Sequence, residues 1–376
     1  MRVVVCAGGT GGHIYPAVAI INKILEKEKD SEVLYIGTTD RMEANIIPKM
    51  GFTFVGLEIK GLNRKNIFKN IEVIKKYKKA YNKAKKIIKD FNPDIVLGIG
   101  GYVTLPVINA AKSLGIKTFI HEQNSIPGLS NKLLKNKVNA IGISLPSSFK
   151  YFPKSKTIYT GNPRSEEVLS IPPVSKKNYG LSKDKKLVLF VMGSLGSLTV
   201  NNKMKEIIPE FKNEDYEVLF VTGNNYYEEY NDLDIPSNVK LVPYLYDMLG
   251  VMKNTDLIVS RAGASTIAEI TSLALPSILI PSPYVTHNHQ EKNAEVLEKL
   301  GASIVIKEKD LDKDILLNKI RLILNDKEKY QDMVNNNIKL RKNDSATKIY
   351  EVIRNIIDGE WYYERVNWLS KRKRNR

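Results

Sequence analysis

The run Arg2-Val3-Val4-Val5-Cys6-Ala7-Gly8-Gly9-Thr10-Gly11-Gly12-His13-Ile14-Tyr15-Pro16-Ala17-Val18-Ala19-Ile20-Ile21 decides how the chain is read. From Val3 to Ala7 it is uninterruptedly apolar and mostly β-branched, the pattern of a parallel strand buried on both faces. Glycine then occupies positions 8, 9, 11 and 12. Such a turn lets backbone approach a ligand closely, and the apolar helical pattern behind it presents N–H groups to an anion. No Gly-Lys-Ser/Thr follows, so it is not a P-loop, and it is not a clean Gly-x-Gly-x-x-Gly fingerprint.

The same alternation continues outward. Strand-like runs at 33–37, 95–99, 118–121 and 140–144 are separated by helix-length segments, and the pattern restarts after Pro163. The second set lies at 187–192, 217–222, 239–242, 256–260, 277–281 and 303–306. Strand–helix alternation predicts parallel sheets covered by helices on both faces, here as two doubly wound α/β domains facing each other across a cleft. Turn formers at Gly161-Asn162-Pro163 place the boundary there. The expected divisions are 1–162, 163–340, a helix at 341–358 packing back across the cleft, and a tail at 359–376.

Composition narrows the class. The chain has 376 residues, 43% hydrophobic and 26% charged, which excludes disordered and collagenous proteins. Cys6 is the single cysteine, so no intrachain disulfide and no cysteine-cluster zinc site can form. No apolar run reaches the roughly 18–20 residues needed to span a bilayer. The glycines also break up any signal-peptide layout, so a cytoplasmic protein is expected.

The net charge of +17 is concentrated. Residues 60–90 hold 12 Lys/Arg against 2 acidic residues, and residues 361–376 hold 6 against 1. The remainder is close to neutral. Segments of this kind seek an anionic membrane face or nucleic acid. Apolar residues at 67, 71, 74, 77, 81, 84, 88 and 91 form a helical stripe through the first segment, with lysines largely on the other faces. We read it as part of a membrane dock, with the loop around Gly61–Arg64 nearby. The tail joins Trp361 and Trp368 to Lys371-Arg372-Lys373-Arg374, a pairing suited to a headgroup interface. No recognisable nucleic-acid motif accompanies the charge, so nucleic acid is not an expected partner.

Ligands of open α/β sheets bind outside the carboxyl ends of the strands. The segments leaving those ends are Gly8–His13, Gly98-Ile99-Gly100-Gly101-Tyr102, His121-Glu122-Gln123-Asn124, Met192–Ser197, Ser260–Thr266 and His287–Asn293. All four histidines, 13, 121, 287 and 289, fall in them. They lack metal-ligand spacing, so hydrogen-bonding or general-base roles suit them better. The loop ending in Ser265 and Thr266 offers amides, hydroxyls and a helix N-terminus to phosphate oxygens, and Glu269 one turn on suits a ribose.

Taken with Gly161-Asn162-Pro163-Arg164, these segments resemble the MurG family, the membrane-associated UDP-N-acetylglucosamine transferases of peptidoglycan synthesis. The correspondence runs over roughly residues 1–355. It implies a GT-B fold of two Rossmann-like domains and inverting transfer of N-acetylglucosamine from UDP to the 4-hydroxyl of the muramoyl sugar of lipid I. No metal and no cofactor is implied. An inverting displacement needs a base, for which His13 is the first candidate and Glu122 the second. Without an Asp-x-Asp clamp, the leaving UDP must be stabilised by backbone amides, Ser194, the helix start at Gly263, Ala264, Ser265 and Thr266, and Arg164. The resemblance further places Thr10, Gly11, Gly12 and Asn124 along the donor, Leu245 on uracil through its backbone, Glu269 on the ribose and Gln290 on the sugar hydroxyls. The implied partners are UDP-N-acetylglucosamine, lipid I, the anionic inner leaflet and other cell-wall synthesis proteins, with the chain peripheral on the cytoplasmic membrane face. Two departures stand out: Met192-Gly193 replaces a glycine pair, and the tail lies outside the correspondence. A UDP-N-acetylglucosamine 2-epimerase and a diacylglycerol glycosyltransferase are the alternatives on the same architecture.

Overall fold

In a computed structural model, residues 1–61, 70–193, 196–285 and 288–360 are described. The chain divides into two compact units, one comprising Met1–Arg164 with the segment from Asp344, the other Ser165–Asn343.

In the first unit the strands are β1 (Arg2–Ala7), β2 (Glu32–Thr38), β3 (Thr53–Leu57), β4 (Ile95–Gly100), β5 (Lys117–Glu122), β6 (Ala140–Ile143) and β7 (Thr157–Tyr159). Between them lie α1 (Gly11–Lys27), α2 (Glu43–Lys49), α3 (Asn70–Phe91), α4 (Thr104–Ser113) and α5 (Leu129–Leu134), and α6 (Arg164–Ser170) leads out. Every pairing is parallel, and the strand order is β3-β2-β1-β4-β5-β6-β7. The order reverses direction between β1 and β4, so their carboxyl ends open a crevice. Val3, Val4 and Val5 are fully buried, as a strand covered on both faces requires. On one face Ile14, Ile20, Ile21 and Ile24 of α1 pack with Ile349, Val352 and Ile353. On the other lie Ala80, Ala84 and Ile88 of α3 with Val107, Ile108 and Ala111 of α4. Two strands absent from the sequence reading, β3 and β7, are the edges of this sheet. β3 is only partly covered and β7 is three residues long and half-buried, so neither carries a full apolar run.

The second unit contains α7 (Leu198–Ile207), α8 (Met248–Met252), α9 (Ala264–Leu273), α10 (His289–Lys299), α11 (Lys313–Asn325) and α12 (Lys327–Leu340). Its parallel sheet is built from β8 (Leu187–Val191), β9 (Glu217–Val221), β10 (Val239–Val242), β11 (Leu257–Ser260), β12 (Ser277–Leu279) and β13 (Ile304–Val305). The order β10-β9-β8-β11-β12-β13 reverses between β8 and β11, repeating the topology of the first unit.

The last described helix, α13 (Ser345–Ile357), returns to the first unit and lies on α1. Glu28 fastens it there. Its carboxylate accepts from the Tyr350 hydroxyl at 2.8 Å and pairs with Arg354 at 3.5 Å and the N-terminal amine at 3.1 Å.

Candidate active site

At the carboxyl end of β1 the chain turns through Gly8 to Thr10 and enters α1. Thr10 is the N-cap residue, but its side chain makes no capping bond, and the first turn holds no acidic residue. Gly11 and Gly12 therefore present helix-terminal amides that the Thr10 side chain does not cap, an arrangement suited to an anion. The register slips between Cys6 and Ala7, which sets Ala7 opposite Gly100 of β4. The Gly8 N–H then donates to the Gly100 carbonyl at 3.2 Å.

His13 lies in the first turn of α1. Its Nδ1 is 3.1 Å from the Gly8 carbonyl oxygen and 3.4 Å from Thr10 Oγ1. A carbonyl only accepts, so Nδ1 carries the proton and Nε2 carries the lone pair. Gly100 flanks the ring, because a Cβ there would overlap Cδ2 and stand 2.8 Å from Nε2.

His121 and Glu122, at the end of β5, are turned inward instead. His121 is fully buried. Its Nε2 donates to the Gly161 carbonyl at 3.0 Å, and its Nδ1 accepts from Gln123 Nε2, also at 3.0 Å. Gln123 Nε2 also donates to the Ile99 carbonyl at 2.7 Å, so this chain of bonds braces three strand exits. Burial lowers the imidazole pKa to about 4, against which the Gly161 bond acts. Glu122 Oε1 accepts from the Asn124 backbone N–H at 3.0 Å and side chain at 3.3 Å. Its Oε2 accepts from Gly128 N–H at 3.0 Å and Asn131 Nδ2 at 2.9 Å. Burial raises its pKa, and those four bonds oppose the rise. All four lone-pair sites of the carboxylate are thus engaged in shaping the 122–131 loop. Asn124 is held in that loop, its carbonyl accepting from Ser148 Oγ at 2.7 Å. Arg164 lies with its guanidinium 5.4 Å from the centroid of the Tyr15 ring. The same ring borders Gly11, which brings Arg164 to the glycine loop carrying Thr10, Gly12 and His13.

In the second unit, β8 ends in the loop from Met192 to Ser197. Ser194 and Leu195 lie outside the described residues, as does His287. Ser197 caps α7 by accepting from Val200 N–H. The β11 exit carries Arg261, Ala262 and Gly263, with Gly263 the uncapped N-cap residue of α9. Ala264, Ser265 and Thr266 form the first turn, where the buried Ser265 hydroxyl has no hydrogen-bond partner among the described residues. Glu269, one turn on, is almost buried. Gln290, in the first turn of α10, accepts from Ser282 N–H at 2.9 Å, and Asn293 of the same helix donates to the Ala262 carbonyl at 3.3 Å. These bonds draw the 260–266 and 282–290 segments into one cluster. The Leu245 side chain is buried, so only its backbone is available to a ligand.

Two anchors carry no role in the sequence reading. Arg261 donates to Ser197 Oγ at 2.6 Å and to the Ile280 carbonyl at 3.0 Å, and it pairs with Glu308. One buried guanidinium thereby ties together three strand-exit loops. Its signal was a lone arginine among small residues. The second, Glu43, is fully buried and accepts from Gly9 N–H at 3.0 Å. Among the described residues no three His, Cys, Asp or Glu side chains are grouped as metal ligands, and no helix is long and apolar enough to cross a membrane.

The N-terminal domain of glycosyltransferase family 28 matches residues 3–143, and the C-terminal domain of that family matches residues 187–349. The UDP-N-acetylglucosamine–N-acetylmuramyl-(pentapeptide) pyrophosphoryl-undecaprenol N-acetylglucosamine transferase of Bacillus cytotoxicus is 43% identical over 362 residues, 95% of this chain and 100% of the relative. The corresponding Bacillus pumilus protein is 43% identical over 361 residues, 95% of this chain and 99% of the relative. The crystal structure of Acinetobacter baumannii MurG superposes with a TM-score of 0.75 at 25% identity, over 94% of this chain and 99% of that one. A Neisseria meningitidis UDP-GlcNAc 2-epimerase bound to UDP-GlcNAc reaches 0.68 at 14% identity, over 94% of this chain and 100% of that one; this likeness concerns the fold alone.

Proposed function

The chain belongs to glycosyltransferase family 28, and within it to the MurG transferases; on that premise we infer that it moves N-acetylglucosamine from UDP-N-acetylglucosamine to lipid I, giving lipid II. It is a hexosyltransferase of peptidoglycan synthesis with a GT-B fold. The observation that carries this conclusion is the match running through both halves of the chain, with 95% of it aligned to a relative covered from end to end.

The residue roles are our own reading. His13 takes the proton of the acceptor 4-hydroxyl at Nε2, and the Nδ1–H···O=C contact to Gly8 supports that assignment by leaving the lone pair there. The hydroxyl oxygen bonds to the anomeric carbon as the carbon–oxygen bond to UDP breaks, and the β-phosphate keeps the electron pair. A single displacement inverts the anomeric centre. Glu122 is a brace of the 122–131 loop, since its acceptor sites are already taken. Thr10, Gly11, Gly12, Asn124 and Arg164 serve donor and leaving group from the first unit. From the second, the amides of Gly263 to Thr266 and Ser194 meet phosphate, the Leu245 backbone meets uracil, Glu269 the ribose and Gln290 the sugar. Helix-terminal amides and an arginine suit the departing diphosphate in place of a divalent ion.

The reading places the chain on the cytoplasmic membrane face, where lipid I resides. Ile71 and Ile74 of α3, 60% and 54% exposed, support that placement, with Lys75 and Lys78 on the same helical face.

The deciding experiment follows label from UDP-N-acetylglucosamine into a short-chain lipid I analogue with excess EDTA present. Labelled product under chelation is the expected result. Epimerisation or hydrolysis of the donor without product would move the chain to another activity on the same fold.

A further inference from the structure

The Gly8–Gly9 peptide is gripped at both ends. Its carbonyl, on Gly8, accepts from His13 Nδ1 at 3.1 Å. Its N–H, on Gly9, donates to Glu43 Oε2 at 3.0 Å. The other carboxylate oxygen, Oε1, accepts from the Thr38 N–H at 2.9 Å and the Thr38 hydroxyl at 2.7 Å. Glu43 is fully buried, and each of these partners donates to it, the pattern of an acceptor-only carboxylate. Two glycines make room for it. A Cβ on Gly8 would overlap Oε1, and one on Gly37 would stand 2.6 Å from Glu43 Cγ.

Carboxylate, peptide and imidazole thus form one hydrogen-bonded series ending at the nitrogen that carries the lone pair. Bonds in such a series polarise one another, and in a dry interior the effect is strengthened. A carboxylate pulling on the peptide N–H makes its carbonyl a better acceptor, which favours the Nδ1–H tautomer and stabilises an imidazolium. That correction is needed here. His13 sits in the first turn of α1, where the positive end of the helix disfavours a cation. A base working near neutral pH then requires a compensating negative charge.

We propose that Glu43 is a positioning residue for the base, acting on His13 through the Gly8–Gly9 peptide to fix its tautomer and raise its basicity. No proton travels along the series: the acceptor's proton stops at Nε2, Nδ1 keeps its own, and Glu43 remains a carboxylate. The inference rests on His13 being the base.

Other charged and titratable groups face this series. Tyr35 of β2 lies near Glu43, and burial, reinforced by the Glu43 charge, holds its phenol well above the ordinary range. Burial pushes the Cys6 thiol of β1 up to about 12, so it too stays neutral near pH 7. Arg41, exposed on the β2–α2 connection, feels the Glu43 charge among others. Arg164 lies over the ring of Tyr15, two residues on from His13 in α1.

The test measures kcat against pH, the KM for UDP-N-acetylglucosamine and the melting temperature for the full chain and for Glu43→Gln, His13→Gln and Thr38→Val. Glu43→Gln is expected to move the acid limb of kcat down by about 0.5–1 pH unit and to lower kcat about tenfold, with donor KM changed less than about threefold. Thr38→Val keeps the charge and removes one competing donor, so its limb should stay or rise. A folded Glu43→Gln enzyme whose limb does not move overturns the relay and leaves Glu43 a structural anchor. Should that variant not fold, a downward shift in Thr38→Val overturns it instead. A limb that persists unchanged in His13→Gln removes the base assignment itself, and with it the relay.

Discussion

At the scale of single residues, the proposed base, His13, depends on what its neighbours lack. Gly100 has φ +134°, a conformation side chains rarely adopt, and its missing Cβ is the space the His13 ring fills. Gly100→Ala should therefore cost about 1–3 kcal/mol in stability and displace the imidazole as well. Turnover is expected to fall by about 10²-fold, since a displacement near 1 Å can have that effect, while affinity for UDP holds. Calorimetric titration with UDP beside the turnover assay reads both, and undiminished turnover would contradict the packing argument. Histidines 13 and 121 show how far sequence reading reaches here. Both stand at strand exits, but the first lies in the helical turn that follows the glycines whereas the second is the last-but-one residue of a buried strand, with its ring satisfied by Gln123 and Gly161. Position along the chain located both without distinguishing their roles. Glu43 was illegible for a different reason: its partner Gly9 is 34 residues away, and only the fold brings them together.

At the scale of elements, α3 reads as one apolar stripe but divides into two parts. Ala80, Ala84 and Ile88 are buried in the core, while Ile71 and Ile74 near the N-terminal end stand exposed. Ile67 and the 62–69 stretch, including Arg64, fall outside the described residues, as do Trp361, Trp368 and the rest of the tail. Periodicity revealed the stripe without showing where the covering α4 ends. Exposed Lys75, Lys78 and Lys79 surround the uncovered part, while Lys76 is engaged with Glu58 at 2.7 Å. Each basic residue near an anionic surface contributes about 1 kcal/mol, so neutralising three should weaken partitioning about 10²-fold. The triple variant Lys75→Glu, Lys78→Glu, Lys79→Glu is expected to show at least that loss in sedimentation with phosphatidylglycerol vesicles. Its transfer to a water-soluble acceptor analogue should be unchanged. Wild-type sedimentation by the variant would assign the α3 lysines to solubility alone.

At the scale of the whole molecule, the two doubly wound halves were legible because strands buried on both faces leave unbroken apolar runs, as Val3–Val5 and Leu187–Val191 do. What the sequence could not show is how those buried strands carry titratable groups, and this links folding to pH. His121 titrates at about 4 when folded, against about 6.5 for an exposed histidine. The unfolded chain therefore binds the extra proton first. Stability is intact above about pH 6.5 and falls as pH drops toward 4, by about 1.4 kcal/mol per unit within that window. Glu122 works in the opposite sense, since a carboxyl with a raised folded pKa favours the folded state at low pH. It is common to wild type and a His121→Asn variant, so it drops out of their difference. Urea unfolding of the first unit at about pH 7 and about pH 4.5 should show wild type losing about 2–3 kcal/mol more than the variant between the two conditions. Parallel losses in the two proteins would mean that His121 is protonated inside the fold, and the His121–Gly161–Gln123 brace would then have to hold a cation.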